Sequence, residues 1–153
     1  MKQRIEEAKK ILLDNRKNGY TLPTNNKLYP AQWNWDSAFI ALGYSYFNLD
    51  YALEEMETLL AGQWDDGMVP HILFHDNDTT YFPNHTTWKC GKNIPSSGIT
   101  QPPVIASILK IILGNQQINE GQNNRVVQII KKIKKYHDWF IKFRDPNKTG
   151  LIS

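Results

Sequence analysis

The stretch Tyr29-Pro30-Ala31-Gln32-Trp33-Asn34-Trp35-Asp36 sets three aromatic rings and one carboxylate within eight residues. It lies immediately ahead of an apolar run, Ser37 to Tyr46, that reads as a helix. Indole faces cover the C–H faces of a sugar, and a carboxylate accepts hydrogen bonds from two neighbouring hydroxyls. A ligand that is apolar on its faces and hydroxylated at its edges needs both. The same residues also suit a helix start, with Asp36 as N-cap and the indoles packed beneath as a hydrophobic staple. On this stretch alone both readings stand.

Two further segments have the same character. Gln63-Trp64-Asp65-Asp66-Gly67-Met68-Val69-Pro70-His71 follows an expected helix, with Asp66-Gly67 as a tight turn and Pro70 fixing φ ahead of a histidine. Ser97-Gly98-Ile99-Thr100-Gln101-Pro102-Pro103 lies at another helix start, where proline is well tolerated. Each connection is thus read as carrying polar hydrogen-bonding groups beside aromatics. Loops gathered at one end of a helical scaffold are where binding groups usually sit.

A chain of 153 residues holds one domain or part of one, and 41% hydrophobic with 22% charged residues is ordinary globular composition. The net charge of +3 is modest. Lys131, Lys132, Lys134, Lys135 and Lys142 are interleaved with Ile130, Ile133 and Tyr136 along a helix, which describes a solvated face rather than a nucleic-acid reader. Cys90 is the single cysteine, which excludes an internal disulfide and points to a reducing compartment. The N-terminus is amphipathic rather than basic and then apolar, and no apolar stretch is long enough to span a bilayer. A cytoplasmic protein with no cofactor, metal, nucleic acid or membrane partner is the expectation.

The pattern is helical almost throughout. Residues 2–17 form the first expected helix, with Ile5, Ala8, Ile11 and Leu12 at helix spacing. The second, 35–47, is apolar nearly all round and reads as surrounded by protein. The third runs from about Asp50 to Gly62, with Ala52, Leu53, Met56, Leu59 and Leu60 inward and Glu54, Glu55 and Glu57 mostly in water. Residues 63–97 hold no period, although Val69 to Phe74 suits a short strand. The fourth, 101–113, is again mostly apolar, and the fifth, 125–143, has Val126, Ile130, Ile133, His137 and Phe140 as its seam. Surrounded helices alternating with amphipathic ones mean two concentric layers, an all-α fold of about two and a half hairpins from an (α/α)6 toroid. The whole chain, 1–153, is therefore expected to be the N-terminal portion of one larger domain.

With those segments placed, the chain resembles the inverting α/α-toroid glycoside hydrolases of family 63 and their relatives acting on mannosylglycerate and glucosylglycerate. Those proteins carry Tyr-Pro…Trp-x-Trp-Asp-Ser, then Gly-Gln…Asp-Gly-Met-x-Pro-His, then Thr-Gln-Pro-Pro. All three occur here in that order, at Tyr29 to Ser37, Gly62 to His71 and Thr100 to Pro103. Trehalases share a similar toroid and related Trp-Asp segments. The resemblance implies an inverting α-glycosidase hydrolysing a small α-glucoside or α-mannoside. It implies that Tyr29, Trp33, Trp35, Asp36 and His71 line the pocket for the terminal sugar, with Tyr81 and Gln101 toward the aglycone. The family's general acid and general base match no position up to Ser153. No catalytic residue is therefore expected in this chain, and the remainder of the barrel is an expected partner.

Weighed residue by residue, Asp36 is assigned to hydroxyl binding, with the N-cap role as its alternative. Inverting hydrolysis needs two carboxyls roughly 6.5–9.5 Å apart. Asp65 and Asp66 are nearby candidates, but an aspartate before glycine is a turn former. His71 and His75 have a spacing that suits a metal on a helix, yet Pro70 and the missing helical pattern argue for a neutral imidazole donating to a sugar hydroxyl. His137 on an apolar seam reads as a satisfied core histidine. The Gln32-Trp33 and Gln63-Trp64 pairs resemble the repeats of triterpene cyclases, but no Asp-rich acid motif accompanies them. Beside the enzyme reading stand a non-catalytic carbohydrate-binding protein and a plain helical interaction module.

Overall fold

Small side chains set how closely the helices meet. The computed structural model describes residues 2–24, 28–76 and 78–152. Helix α1 spans Lys2–Asp14, strand β1 Gln32–Trp33, α2 Asn34–Ser45, α3 Leu49–Ala61, β2 Ile72–Leu73, the short α4 His85–Trp88, α5 Ile105–Asn115 and α6 Glu120–Arg144. Ser37, Ala38, Ala41 and Ser45 line the buried side of α2, which packs on α3, α5 and α1. Ala52, Leu53, Met56, Leu59 and Leu60 of α3 face them at one-turn spacing. Ile105, Ile108, Leu109 and Ile112 of α5 join the same core with Val126, Ile129, Ile133 and Tyr136 of α6. The short turns after α2 and α5 make antiparallel hairpins of α2–α3 and α5–α6.

The caps explain where helices begin. Asn48 accepts from Tyr51 N–H at the start of α3, and Asn119 forms a capping box with Gln122 at the start of α6. That box starts α6 at Glu120, earlier than hydrophobic periodicity indicated. Helix α5 starts at Ile105 rather than 101 because consecutive prolines precede it.

Four expectations need correction. Helix α1 ends at Asp14, where the chain turns into a bridge between Arg16 and Thr21, and it buries no residue: Ile5 is 50% and Ile11 60% exposed. The α6 seam runs through Val126, Ile129, Ile133, Tyr136 and Trp139 instead of Ile130, His137 and Phe140. Aromatic side chains with polar tips carry the larger burial, and both tips find partners inside. Helices α2 and α5 are covered on one side only, leaving Trp35, Phe39, Tyr46 and Ile111 exposed. Glu55, placed in water by sequence, is 0% exposed, because it faces the buried start of α2.

Strand β2 lies inside the expected Val69–Phe74 segment and pairs antiparallel with β1, Gln32 opposite Leu73 and Trp33 opposite Ile72. Asp66-Gly67 makes the turn leading to it. Gly67 sits at φ 110°, and an added Cβ would lie 2.6 Å from the Lys135 carbonyl oxygen, so this contact with α6 requires glycine. Among the described residues no helix is long and apolar enough to cross a membrane.

Candidate functional site

The three motif segments are sewn together by backbone hydrogen bonds. Beyond the β1–β2 pair, Asn34 N–H donates to His71 O at 3.0 Å, and His71 N–H donates to Ile99 O at 2.8 Å. Ser97 N–H donates to Ile72 O at 3.1 Å, and Phe74 N–H to Pro95 O at 2.9 Å. Asn34 is buried, with its amide directed to the Val69 and Pro70 carbonyls and the Tyr136 hydroxyl. Tyr136 in turn donates to Gln101 O at 2.9 Å, so α6 anchors the start of α2 and the third motif together. A helix start leaves N–H groups without partners. Gln101 Oε1 takes one of them, accepting from Trp35 N–H at 3.1 Å.

This sewing gathers four of the sequence-nominated side chains into one cluster of rings. Tyr29 meets Trp33 edge-on at 5.2 Å between centroids, and Tyr81 lies 5.5 Å from Trp33 and 6.2 Å from Tyr29. His71 stands edge-on to Trp33 at 5.4 Å. Trp88 completes the cluster at 5.8 Å from His71. Sequence reasoning missed Trp88, since residues 63–97 carry no period; Asn84 followed by Thr86, a capping signature for α4, was the signal available.

The polar atoms of this cluster are its chemistry. Trp33 Nε1, His71 Nδ1 and Trp88 Nε1 are buried and make no hydrogen bond within the described residues. An unpaired buried donor or acceptor costs about 1–3 kcal/mol, and each such group calls for a partner. Burial lowers the His71 pKa, with the Ile99 backbone working the other way, which keeps the imidazole neutral.

Trp35 and Asp36 sit beside the cluster on the first turn of α2, without ring contact to it. Trp35 is 44% exposed, and Asp36 is half-buried. Burial pushes the Asp36 carboxyl above its usual range, against the pull of its own backbone N–H and the Trp35 indole. The N-cap position of α2 belongs to Trp33, which makes no side-chain cap bond, so the capping alternative for Asp36 does not hold.

The other carboxylates are engaged elsewhere. Asp65 pairs with Lys92 on the surface. Asp66 accepts from Met68 N–H at 3.0 Å and Trp139 Nε1 at 3.1 Å, a turn former as expected. An open cleft of about 450 Å³ lies between 61–66 and 89–94, and none of the seven nominated residues lines it. His75 stacks on Tyr20 at 4.2 Å and bonds Gln32 Oε1 at 2.7 Å, which turns it away from the metal-pair alternative with His71. His137 is half-buried and its Nε2 has no partner among the described residues, so it is not the satisfied core histidine that its spacing suggested.

The model of the mannosylglycerate hydrolase MGH1-like glycoside hydrolase domain matches residues 29–153. The chain is similar to mannosylglycerate hydrolase MGH2 of Selaginella moellendorffii, 41% identical over 99% of this chain and 31% of that protein. It is 38% identical to mannosylglycerate hydrolase of Thermus thermophilus, over 95% of this chain and 36% of the relative. Glucosylglycerate hydrolase of Mycolicibacterium hassiacum is 34% identical over 82% of this chain and 31% of its own length. Among solved structures, a GH63 mannosylglycerate hydrolase of Thermus thermophilus in complex with Tris and D-glycerate superposes with a TM-score of 0.88 at 38% identity. That match covers 96% of this chain and 35% of the other. The chain spans about a third of the length of the curated relatives it matches, and its helices form part of an α/α toroid.

Proposed function

The chain belongs to the mannosylglycerate hydrolase MGH1-like glycoside hydrolase family, and from that membership we propose that it forms one wall of the sugar pocket of an inverting α-glycosidase. The substrate class is a small α-mannoside or α-glucoside, of the kind represented by mannosylglycerate and glucosylglycerate. The observation that carries this reading is the ring cluster with its unpaired buried indole donor at Trp33 Nε1 and unpaired imidazole nitrogen at His71 Nδ1. Sugar hydroxyls both accept and donate, so they suit an indole N–H and either nitrogen of a neutral imidazole, and ring faces suit the sugar's C–H faces. Tyr29, Trp33, Trp35, Asp36 and His71 hold the terminal sugar in this reading, with Tyr81 and Gln101 toward the aglycone. Asp36 accepts from two hydroxyls, and the lone free Cys90 fits a reducing cytoplasm.

Hydrolysis with inversion requires a protonated acid and a base across the sugar, and of the seven nominated residues only Asp36 carries a carboxyl. The acid, the base and the opposite wall come from the rest of the toroid, with residues 1–153 as the N-terminal portion of that single domain. A chimera tests this directly: the chain replaces the matched third of the Thermus thermophilus hydrolase. Mannose release from mannosylglycerate by the chimera, and none by the chain alone, is the expected result. In the chimera, Asp36→Ala removes charge-assisted hydrogen bonds worth about 1.5–3 kcal/mol, a loss of roughly ten- to hundredfold in glycoside affinity. Unchanged affinity in that variant would sink the assignment of Asp36.

A further inference from the structure

Glu55 lies wholly within the fold, one helical turn of α3 from the buried Ala52 and Leu59. Its Oε1 accepts from Ser37 Oγ at 2.6 Å and from Gln32 Nε2 at 3.0 Å, and its backbone carbonyl accepts from Gln32 Nε2 at 3.2 Å. Gln32 and Ser37 are the residues that bracket Trp33, Asn34, Trp35 and Asp36. We infer that Glu55 is a positioning residue for the candidate sugar site, a buried carboxyl that clamps both ends of the segment carrying Trp33, Trp35 and Asp36. The inference rests on the sugar-site reading for what the clamp serves, and on the geometry alone for the clamp itself.

The hydrogen-bond directions are determined by the network. Gln32 spends its amide N–H groups on Glu55, so its Oε1 accepts, and His75 Nε2 carries the hydrogen of that bond. Glu55 Oε2 is buried without a partner among the described residues. A packing role alone would be served by an apolar residue, because a half-satisfied buried carboxyl is costly. What the carboxyl adds is a grip whose strength depends on its proton. Ionised, it holds Gln32 and Ser37 by charge-assisted bonds; neutral, it carries its hydrogen on Oε2 and holds them by weaker ones. The groups facing it are Arg16 from the turn after α1, Tyr20 and Thr21 from the following loop, Tyr44 from α2, and His75 through Gln32, with Asp76 beyond on Tyr20. Burial pushes the carboxyl up to about 7, outweighing the bonds from Ser37 and Gln32, the pull of the nearby Thr21 hydroxyl and the Arg16 charge. The grip therefore changes across neutral pH.

Indole NMR signals of Trp33 and Trp35, assigned with Trp33→Phe and Trp35→Phe, report the clamp in the 153-residue chain. Both signals should shift between about pH 5 and 9 with a midpoint near 7, and the shift should vanish in Glu55→Gln, which keeps the acceptor oxygen but cannot ionise. Ser37→Ala, which releases one end, should reduce the Trp35 shift while Trp33 still responds. Flat signals in the wild type, or a titration that survives Glu55→Gln and so belongs to a histidine, would overturn the inference. In the chimera with the complete toroid, mannosylglycerate titrated at about pH 6 and pH 8 should bind roughly three- to tenfold tighter at the higher pH with Glu55 present and equally in Glu55→Gln. If no glycoside binds while the indole titration holds, the sugar-site reading fails and the clamp stands.

Discussion

Helices α1 and α3 each have 13 residues with apolar positions at helical spacing, and they end in opposite circumstances. In α3 the apolar face is buried among α2, β2 and α6, and even Glu55 is enclosed. In α1 no residue is buried, and Leu12 alone reaches the main core, partly covered. Amphipathicity supplies a face; burial requires a neighbour to receive it. The α1 stripe of Ile5 and Ile11 has no such neighbour among the described residues.

The largest expected consequence lies in matched core substitutions. Leu53→Ala in α3 should destabilise the chain by about 2–5 kcal/mol, since it empties a fully enclosed site. Ile11→Ala in α1 should change stability by about 0.5 kcal/mol or less. Denaturant midpoints with unchanged m-values would measure both. Equal costs would break the contrast and mean that α1 is covered in solution, for instance by a second copy of the chain.

Glu55 sharpens the same contrast through pH. Its folded pKa, about 7, exceeds the 4.5 of an ordinary glutamate, so the folded state binds the proton more tightly. Stability from this group is fully present below pH 4.5 and is lost as pH rises through about 7. The shift corresponds to about 3 kcal/mol. Melting curves between about pH 4.5 and 8 should show that decline in the wild type, and Glu55→Gln should remove most of it. A decline of the same size in Glu55→Gln would assign it to other groups.

The smallest effect concerns the start of α3. Asn48 caps the helix through Tyr51 N–H at 3.1 Å, and Asn48→Ala should cost about 1 kcal/mol. A cap matters only where the helix it starts is held by its core. Hydrogen exchange should therefore show fraying confined to the first turn of α3, with the Leu53 to Leu60 amides still protected. Exchange spreading through the whole helix would show that the cap, not the core, holds α3 in place.

Much was legible from residue order. Periodicity located the helices, the Asp66-Gly67 turn was read correctly with its aspartate as turn former, and the family motifs nominated Tyr29, Trp33, His71 and Tyr81, which the fold brings into ring contact. These are local properties, fixed by spacing and by which side chains tolerate a given backbone. Trp88, the α6 seam and Glu55 were not legible. Trp88 lies in an aperiodic loop, so its approach to His71 depends on how residues 95–97 return to β2 and Phe74. The α6 seam was placed on Ile130, His137 and Phe140, whereas the fold buries Ile129, Tyr136 and Trp139, whose polar tips bond Gln101 and Asp66 far away in the chain. Glu55 sat in an acidic run that reads as solvated, because an isolated helix gives a carboxylate no reason to turn inward. Sequence by itself determined the helices, the turns and the motif residues. Only the tertiary structure decided which side of each helix had a neighbour and which polar groups met inside, because burial and hydrogen bonding depend on residues far apart in the chain.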